Sequence, residues 1–248
     1  VERAARRVCD AGPARPGRID LVQPHDGRVR VIPRPSGRRA PSPAARETVV
    51  ERVGAREFRV DAGGFWQVHR LAASTLGATV TGLLAQLPAG LDPDAWHLDL
   101  YGGVGLFAAA LADAGGVRVT SVESDERATD HAGHNLAEWV GARAETARVD
   151  DWLARLARGA TAPELERLRR GVVVLDPPRS GAGQAASAAI AALRPAAVVY
   201  VACDPVALGR DLAVFAAGGY APASVASFDL FPNSHHLEAV ALLVRDGV

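Results

Sequence analysis

From about residue 70 the chain alternates short apolar, β-favouring runs with stretches of helical apolar spacing, and few folds accommodate that alternation. "LAASTLGATVTGLLAQL" has the helical spacing. Beyond it, strands are expected at 97–101, 117–122, 144–149, 171–175, 197–202, 221–229 and 237–245. Helices are expected at about 105–114, 126–139, 151–169, 184–193 and 206–217. Strand–helix–strand repeats require a parallel sheet with helices on both faces. The last two strands are joined only by "FPNSHH", too short for a crossover, so the final strand is expected to run antiparallel. The expected class is α/β, with a mostly parallel sheet.

The first quarter of the chain follows a different period. "RIDLVQPHDGRVRVIPRP" alternates apolar and polar residues around Asp26-Gly27, a hairpin signal. "PSGRRAPSPAAR" reads as a linker or long loop, and "ETVVERVGAREFRVDAGG" alternates again with Gly54 near a turn. Residues 17–62 are therefore expected to form a small antiparallel sheet, and the chain to divide into 1–62 and 63–248. Zero net charge conceals an asymmetry: residues 1–60 hold 14 Arg against 7 acidic residues, and the remainder 14 Arg against 21. An Arg-rich segment on an acidic body suggests either a polyanion partner or a solvated basic surface.

Cysteine usage narrows the setting. The two cysteines, Cys9 and Cys203, cannot build a disulfide framework or a four-ligand metal site, which points to a reducing cytoplasm and no metal. No apolar run approaches the ~20 residues of a membrane helix. The chain begins at Val1 and contains no methionine, so it is read as a fragment or processed form. It is expected to act as a monomer.

"HLDLYGGVGLFAAALA" is a strand, a glycine-rich turn and a helix. Gly102, Gly103 and Gly105 allow a tight turn and close approach of a ligand to the helix start. Ala108 stands where the dinucleotide pattern has its third glycine. Glu123 ends the next strand, 24 residues after Asp99, where an acid can accept hydrogen bonds from both hydroxyls of a ribose. A glycine loop flanked by Asp99 and Glu123 suits a nucleoside without a pyrophosphate, such as S-adenosylmethionine.

Four strands end in polar or reactive groups: Tyr101-Gly102, Glu123, Asp176-Pro177-Pro178-Arg179 and Cys203-Asp204. In a doubly wound sheet ligands bind at this carboxyl edge. An antiparallel final strand begins there too, adding His235, His236 and Glu238. That convergence favours a functional role for Cys203 over simple packing.

In these residues the chain resembles the RNA uridine-5-methyltransferases, S-adenosylmethionine enzymes that make 5-methyluridine in tRNA and ribosomal RNA. The resemblance runs from about residue 58 to the end and rests on six ordered motifs: "GGFWQVH", "LDLYGGVGLF", "VESDERA", "LDPPRSGAG", "YVACDPVALGRDL" and "FDLFPNSHHLEAVALL". It implies a Rossmann-like methyltransferase sheet. It also implies cofactor contacts from Gln67, Tyr101, Glu123, Asp150 and Asp176, Cys203 as nucleophile and Glu238 as base. Arg179 takes the place of an aromatic residue in the related motif of amino-methylating enzymes, and so is read as orienting substrate or phosphate, or as bracing its loop. His235 and His236 are candidates for RNA or substrate contact. The chain departs from the family at Gly102, where a Cys is usual, and at Leu106, His69 and Asp204, where Asn is usual. The family's N-terminal OB-like domain is expected to be missing from this stretch of sequence, and Cys9 alone cannot supply an iron–sulfur cluster.

The chemistry explains the residue types. Carbon 5 of uracil is a weak nucleophile until a thiolate adds at carbon 6, and a base must later remove the carbon-5 proton. Backbone amides at the start of the helix after Pro205 would favour the thiolate, whereas an ionised Asp204 would oppose it. Two other readings remain at this stage. One is a cytosine-5 RNA methyltransferase, which generally carries a second site cysteine. The other is a non-catalytic RNA-binding protein with a decayed methyltransferase fold.

Overall fold

The computed structural model describes residues 18–34, 42–88, 90–234 and 236–245, so Cys9 and His235 lie outside the described residues. The chain divides into two compact units, Val1–Trp66 and Gln67–Val248.

The first unit contains two separate two-stranded antiparallel sheets rather than the single small sheet expected from 17–62. Strand β1 (Arg18–Val22) pairs with β2 (Arg30–Arg34), and Gly27 takes a positive φ of 73° in the connection. Strand β3 (Thr48–Val53) pairs with β4 (Arg56–Asp61) across a two-residue turn at Gly54-Ala55, where Gly54 has φ 61°. Each hairpin closes on its own turn, and a single 3₁₀ turn at Pro43–Arg46, capped by Ser42, stands between them in the chain. Ile32, Ala45, Val49, Phe58 and Val60 are buried here, and Phe58 packs against Trp66.

The second unit is the expected α/β body. Helix α1 (Ala72–Leu84) precedes β5 (His97–Leu100), α2 (Leu106–Asp113), β6 (Val119–Glu123), α3 (Glu126–Asn135) and β7 (Ala142–Thr146). Then come α4 (Val149–Gly159), α5 (Ala162–Arg170), β8 (Val172–Leu175), α6 (Gly183–Leu193), β9 (Ala197–Ala202), α7 (Pro205–Ala217), β10 (Tyr220–Phe228) and β11 (Glu238–Arg245). The seven strands lie in the order β10-β11-β9-β8-β5-β6-β7. Strands β5 to β9 run parallel, while β11 inserts antiparallel between β9 and β10, as the short "FPNSHH" connection requires. Strands β5, β8 and β9 are buried along their whole length, which is why they read as unbroken apolar runs.

The helix expected over 151–169 is two helices. Thr161 accepts from the Glu164 amide while the Glu164 carboxylate accepts from the Thr161 amide, a capping box, and Pro163 occupies the first turn of α5. The order of strands reverses between β5 and β8, which places the ligand-binding crevice of such a sheet at their carboxyl ends.

Candidate active site

The turn after β5 is built around buried Asp99. Asp99 Oδ2 accepts from the Ala108 amide in α2 (3.0 Å) and from Ser121 Oγ on β6 (3.0 Å), fixing the helix start to the sheet. Burial pushes its carboxyl up to about 7 against the lowering effect of those two bonds. Asp99 is thus a structural brace beneath the loop rather than one of two acids flanking a ligand. Gly102 must be glycine here, because a Cβ would lie 1.9 Å from Ser121 Oγ and 2.6 Å from Asp99 Oδ2. The Ser121 hydroxyl occupies the space that a Cys at 102 would need.

The opposite side of the same loop is open. Gly103 has φ 53°, and among the described residues no heavy atom lies within 4 Å of where its Cβ would stand. Gly105 has φ 91° and begins α2 without a side-chain cap. Tyr101, half-buried, sits at φ 60°, a conformation that bulky residues rarely adopt. Its hydroxyl is pushed up to about 12 by burial and by the nearby charge of Asp150. Glu123 reaches across the loop: Oε2 accepts from the Gly103 amide (3.1 Å), and Oε1 from the Ser124 and Asp125 amides (2.6 and 2.8 Å) and Ser124 Oγ (3.0 Å). With a single donor on it, Oε2 retains room to accept another. Asp150 is exposed on the first turn of α4, paired loosely with Arg148 at 3.8 Å. A tight inner wall, an open glycine face and a rim carboxylate with spare acceptor capacity fit a small ligand bearing hydroxyl donors. Leu106, where the resemblance expected Asn, is buried in the first turn of α2.

The second cluster lies further along the same sheet edge. The last β9–β11 pair is Ala202 with Ala239, and one step beyond it the register runs to Cys203 and Glu238. Glu238 is 7% exposed, its carboxylate has no hydrogen-bonding partner among the described residues, and burial raises its pKa. Asp176, at the end of β8, accepts from Gln67 Nε2 (3.3 Å) and is pushed up to about 8 by burial and then by the charges of Glu238 and Asp99. Gln67 and Asp176 thus meet each other, on the reactive side of the edge. Cys203 is half-buried, and its thiol is raised first by burial, then by Glu238 and Asp176. Arg179 is the cation that lowers both Cys203 and Glu238.

The thiol is raised on balance, while a backbone amide hydrogen bond and the Arg179 charge act to lower it. Asp204 turns its carboxylate onto its own helix, capping the Ala207 amide at 2.8 Å, while Glu238 and Asp176 supply the negative field that acts on the thiol. His236 packs edge-on against Phe231, which is also met by His69. Three residues went unnoticed in the sequence: Ser121, Tyr200 and Asp211. The first braces Asp99, and the other two bind the loop that follows Arg179. Their roles depend on contacts between elements, and the only sequence signal was a polar residue within an otherwise apolar strand or helix face.

A model of the tRNA (uracil-5-)-methyltransferase family matches residues 89–246. An uncharacterized RNA methyltransferase of Streptomyces avermitilis is 46% identical over 80% of this chain and 43% of its own length. Another from Streptomyces coelicolor is 44% identical over 80% of this chain and 41% of its own. The chain therefore spans less than half the length of these relatives. Among solved structures, the Pyrococcus abyssi tRNA (uracil-54, C5)-methyltransferase in complex with S-adenosyl-L-homocysteine superposes with a TM-score of 0.62. It is 26% identical and covers 80% of this chain and 44% of that one.

Proposed function

The chain belongs to the tRNA (uracil-5-)-methyltransferase family, and from that premise we propose that it methylates carbon 5 of a uridine in tRNA or ribosomal RNA through a covalent cysteine adduct. The observation that carries this reading is the strand register that runs to Cys203 and Glu238 as neighbours at one sheet edge.

S-adenosylmethionine is the expected cofactor, held by Tyr101, Gly102, Gly103 and Gly105 on the loop and by Glu123 and Asp150 on its rim. When bound it supplies an electrophilic methyl group. The remaining work falls to the protein's own side chains. Cys203, as thiolate, adds to carbon 6 of uracil, and the displaced π electrons make an enolate whose carbon 5 is nucleophilic. Once carbon 5 carries the methyl group, Glu238 takes the proton there. The electrons of that C–H bond re-form the double bond and expel the Cys203 thiolate from carbon 6. A glutamate with raised proton affinity suits this proton transfer better than an ordinary one. The raised thiol has the opposite consequence, since it leaves little thiolate at neutral pH. Arg179 offsets it in part, and Gln67 and Asp176, hydrogen-bonded to each other, are assigned to the cofactor. The Arg-rich first unit is read as an RNA-contacting part, its arginines facing phosphates.

Mass analysis of nucleosides from RNA incubated with protein and cofactor tests the reading. It predicts 5-methyluridine that disappears with Cys203→Ala. Accumulation of 5-methylcytidine instead would assign cytosine as the substrate, and no methylated nucleoside under binding conditions would leave an RNA-binding module.

A further inference from the structure

Asp211 lies in α7 with its side chain wholly buried, an unusual place for a carboxylate unless it is paired. One oxygen collects three donors. Asp211 Oδ2 accepts from the Ala182 amide (2.8 Å), the Gly183 amide (3.1 Å) and Tyr200 Oη (2.6 Å), while the other oxygen has no hydrogen bond among the described residues and lies 3.9 Å from Arg210 Nε. The intervening Gly181 has φ 79°, and a Cβ there would lie 2.5 Å from Asp211 Oδ2. Beside it, Arg210 Nη2 donates to the Ser180 carbonyl at 2.6 Å. Residues 180 to 183 are thus fastened in succession to two adjacent residues of one helix. That stretch directly follows Arg179, and α7 itself begins two residues after Cys203.

We infer that Asp211 is a positioning residue: by clamping the 180–183 backbone to the helix that follows the nucleophile, it keeps the Arg179 guanidinium facing Cys203 and Glu238. The donors come from this loop and from Tyr200 on β9, the strand that leads into Cys203, so one carboxylate ties both to α7. The inference rests on the proposed role of Cys203, but its test needs neither RNA nor turnover. The charged groups acting on the thiol are Glu238 on β11 and Asp176 and Arg179 on the β8–α6 loop. Removing a negative charge nearby lowers a thiol's pKa, whereas losing a cation raises it, so the sign of a shift tells the two effects apart.

The experiment is alkylation of Cys203 by iodoacetamide as a function of pH, followed by peptide mass in the whole chain without RNA or cofactor. Asp211→Asn and Arg179→Gln should each move the profile upward by about half a unit, about threefold slower reaction at pH 8. The double variant should move no further than Arg179→Gln alone, because both act through one guanidinium. An Asp211→Asn protein that melts earlier but keeps the wild-type profile would overturn the inference, as would additive shifts. If Asp211→Asn does not fold, Tyr200→Phe removes one donor and should give a smaller upward shift; an unmoved profile there also overturns it. Failure of the methylation reading shows separately, as absent methyl transfer with the shifts intact.

Discussion

Two glutamates stand on the same edge of one sheet and are prepared for different work. Glu123, at the end of β6, accepts from three backbone amides and a serine hydroxyl. Glu238, at the start of β11, is buried, its carboxylate has no hydrogen-bonding partner among the described residues, and its proton affinity is raised. The difference is one of donor supply. A parallel strand that turns into a helix delivers free amides to whatever acid ends it. An antiparallel strand arriving from a loop delivers none. The amide-rich position suits binding, where a fixed carboxylate is wanted, and the amide-poor one suits proton transfer.

The largest expected effect lies on the amide-poor side. Glu238→Gln should still add and methylate once, then stall as a protein–RNA adduct, with turnover reduced on the order of a hundredfold or more. His236→Ala should show no such stall, and normal turnover in Glu238→Gln would assign the proton to another acceptor. On the amide-rich side, Glu123→Ala should weaken S-adenosylmethionine binding by roughly 1.5–3 kcal/mol in titration calorimetry, through lost charge-assisted hydrogen bonds. An accumulated adduct in Glu123→Ala would erase the distinction between the two glutamates.

Asp176 extends the contrast to stability. Its carboxyl, pushed up to about 8 from an ordinary 3.8, keeps a proton in the folded state that the unfolded chain has released. Stability from this group is therefore greatest in acid and declines as pH rises from about 4 to about 8. Asp176→Asn should remove that decline, raising stability at pH 8 and leaving it unchanged at pH 4 in urea denaturation. A gain that is equal at both pH values would place the cost in packing rather than charge.

The smallest effect concerns the first unit. The Arg30 guanidinium is held by Asp26 (2.7 Å) and Glu47 (3.0 Å), so it is less available to phosphate than a simple count of arginines suggests. Arg28→Glu should reduce the salt dependence of RNA affinity by about one in slope, and Arg30→Ala by less. Equal, unchanged slopes would make the hairpin a solvated basic surface.

Local period made most of the body readable from sequence: apolar runs gave β5, β8 and β9, and the short "FPNSHH" link gave the antiparallel β11. The break between α4 and α5 was missed because apolar spacing continues across it, although the Thr161–Glu164 capping box was present in the letters. The placement of Cys203 just past β9 and of Glu238 at the start of β11 was readable from the strand pattern. The brace formed by Asp99, Ser121 and Gly102 was not, because it joins residues more than 20 positions apart on neighbouring strands. The raised thiol was equally hidden, since its causes are burial in the folded chain and then Glu238 and Asp176, distant in sequence, rather than the adjacent Asp204.

The central claim is that Cys203 bonds to the substrate base, and RNA carrying 5-fluorouridine at the target tests it most directly. Fluorine at carbon 5 cannot leave as a proton does, so methylation should trap the addition product. Wild-type protein with S-adenosylmethionine should give an adduct stable to denaturing electrophoresis, with the RNA mapped to the peptide containing Cys203, and Cys203→Ala should give none. An adduct that survives Cys203→Ala, or full methylation of ordinary RNA without any trapped adduct, would contradict the account.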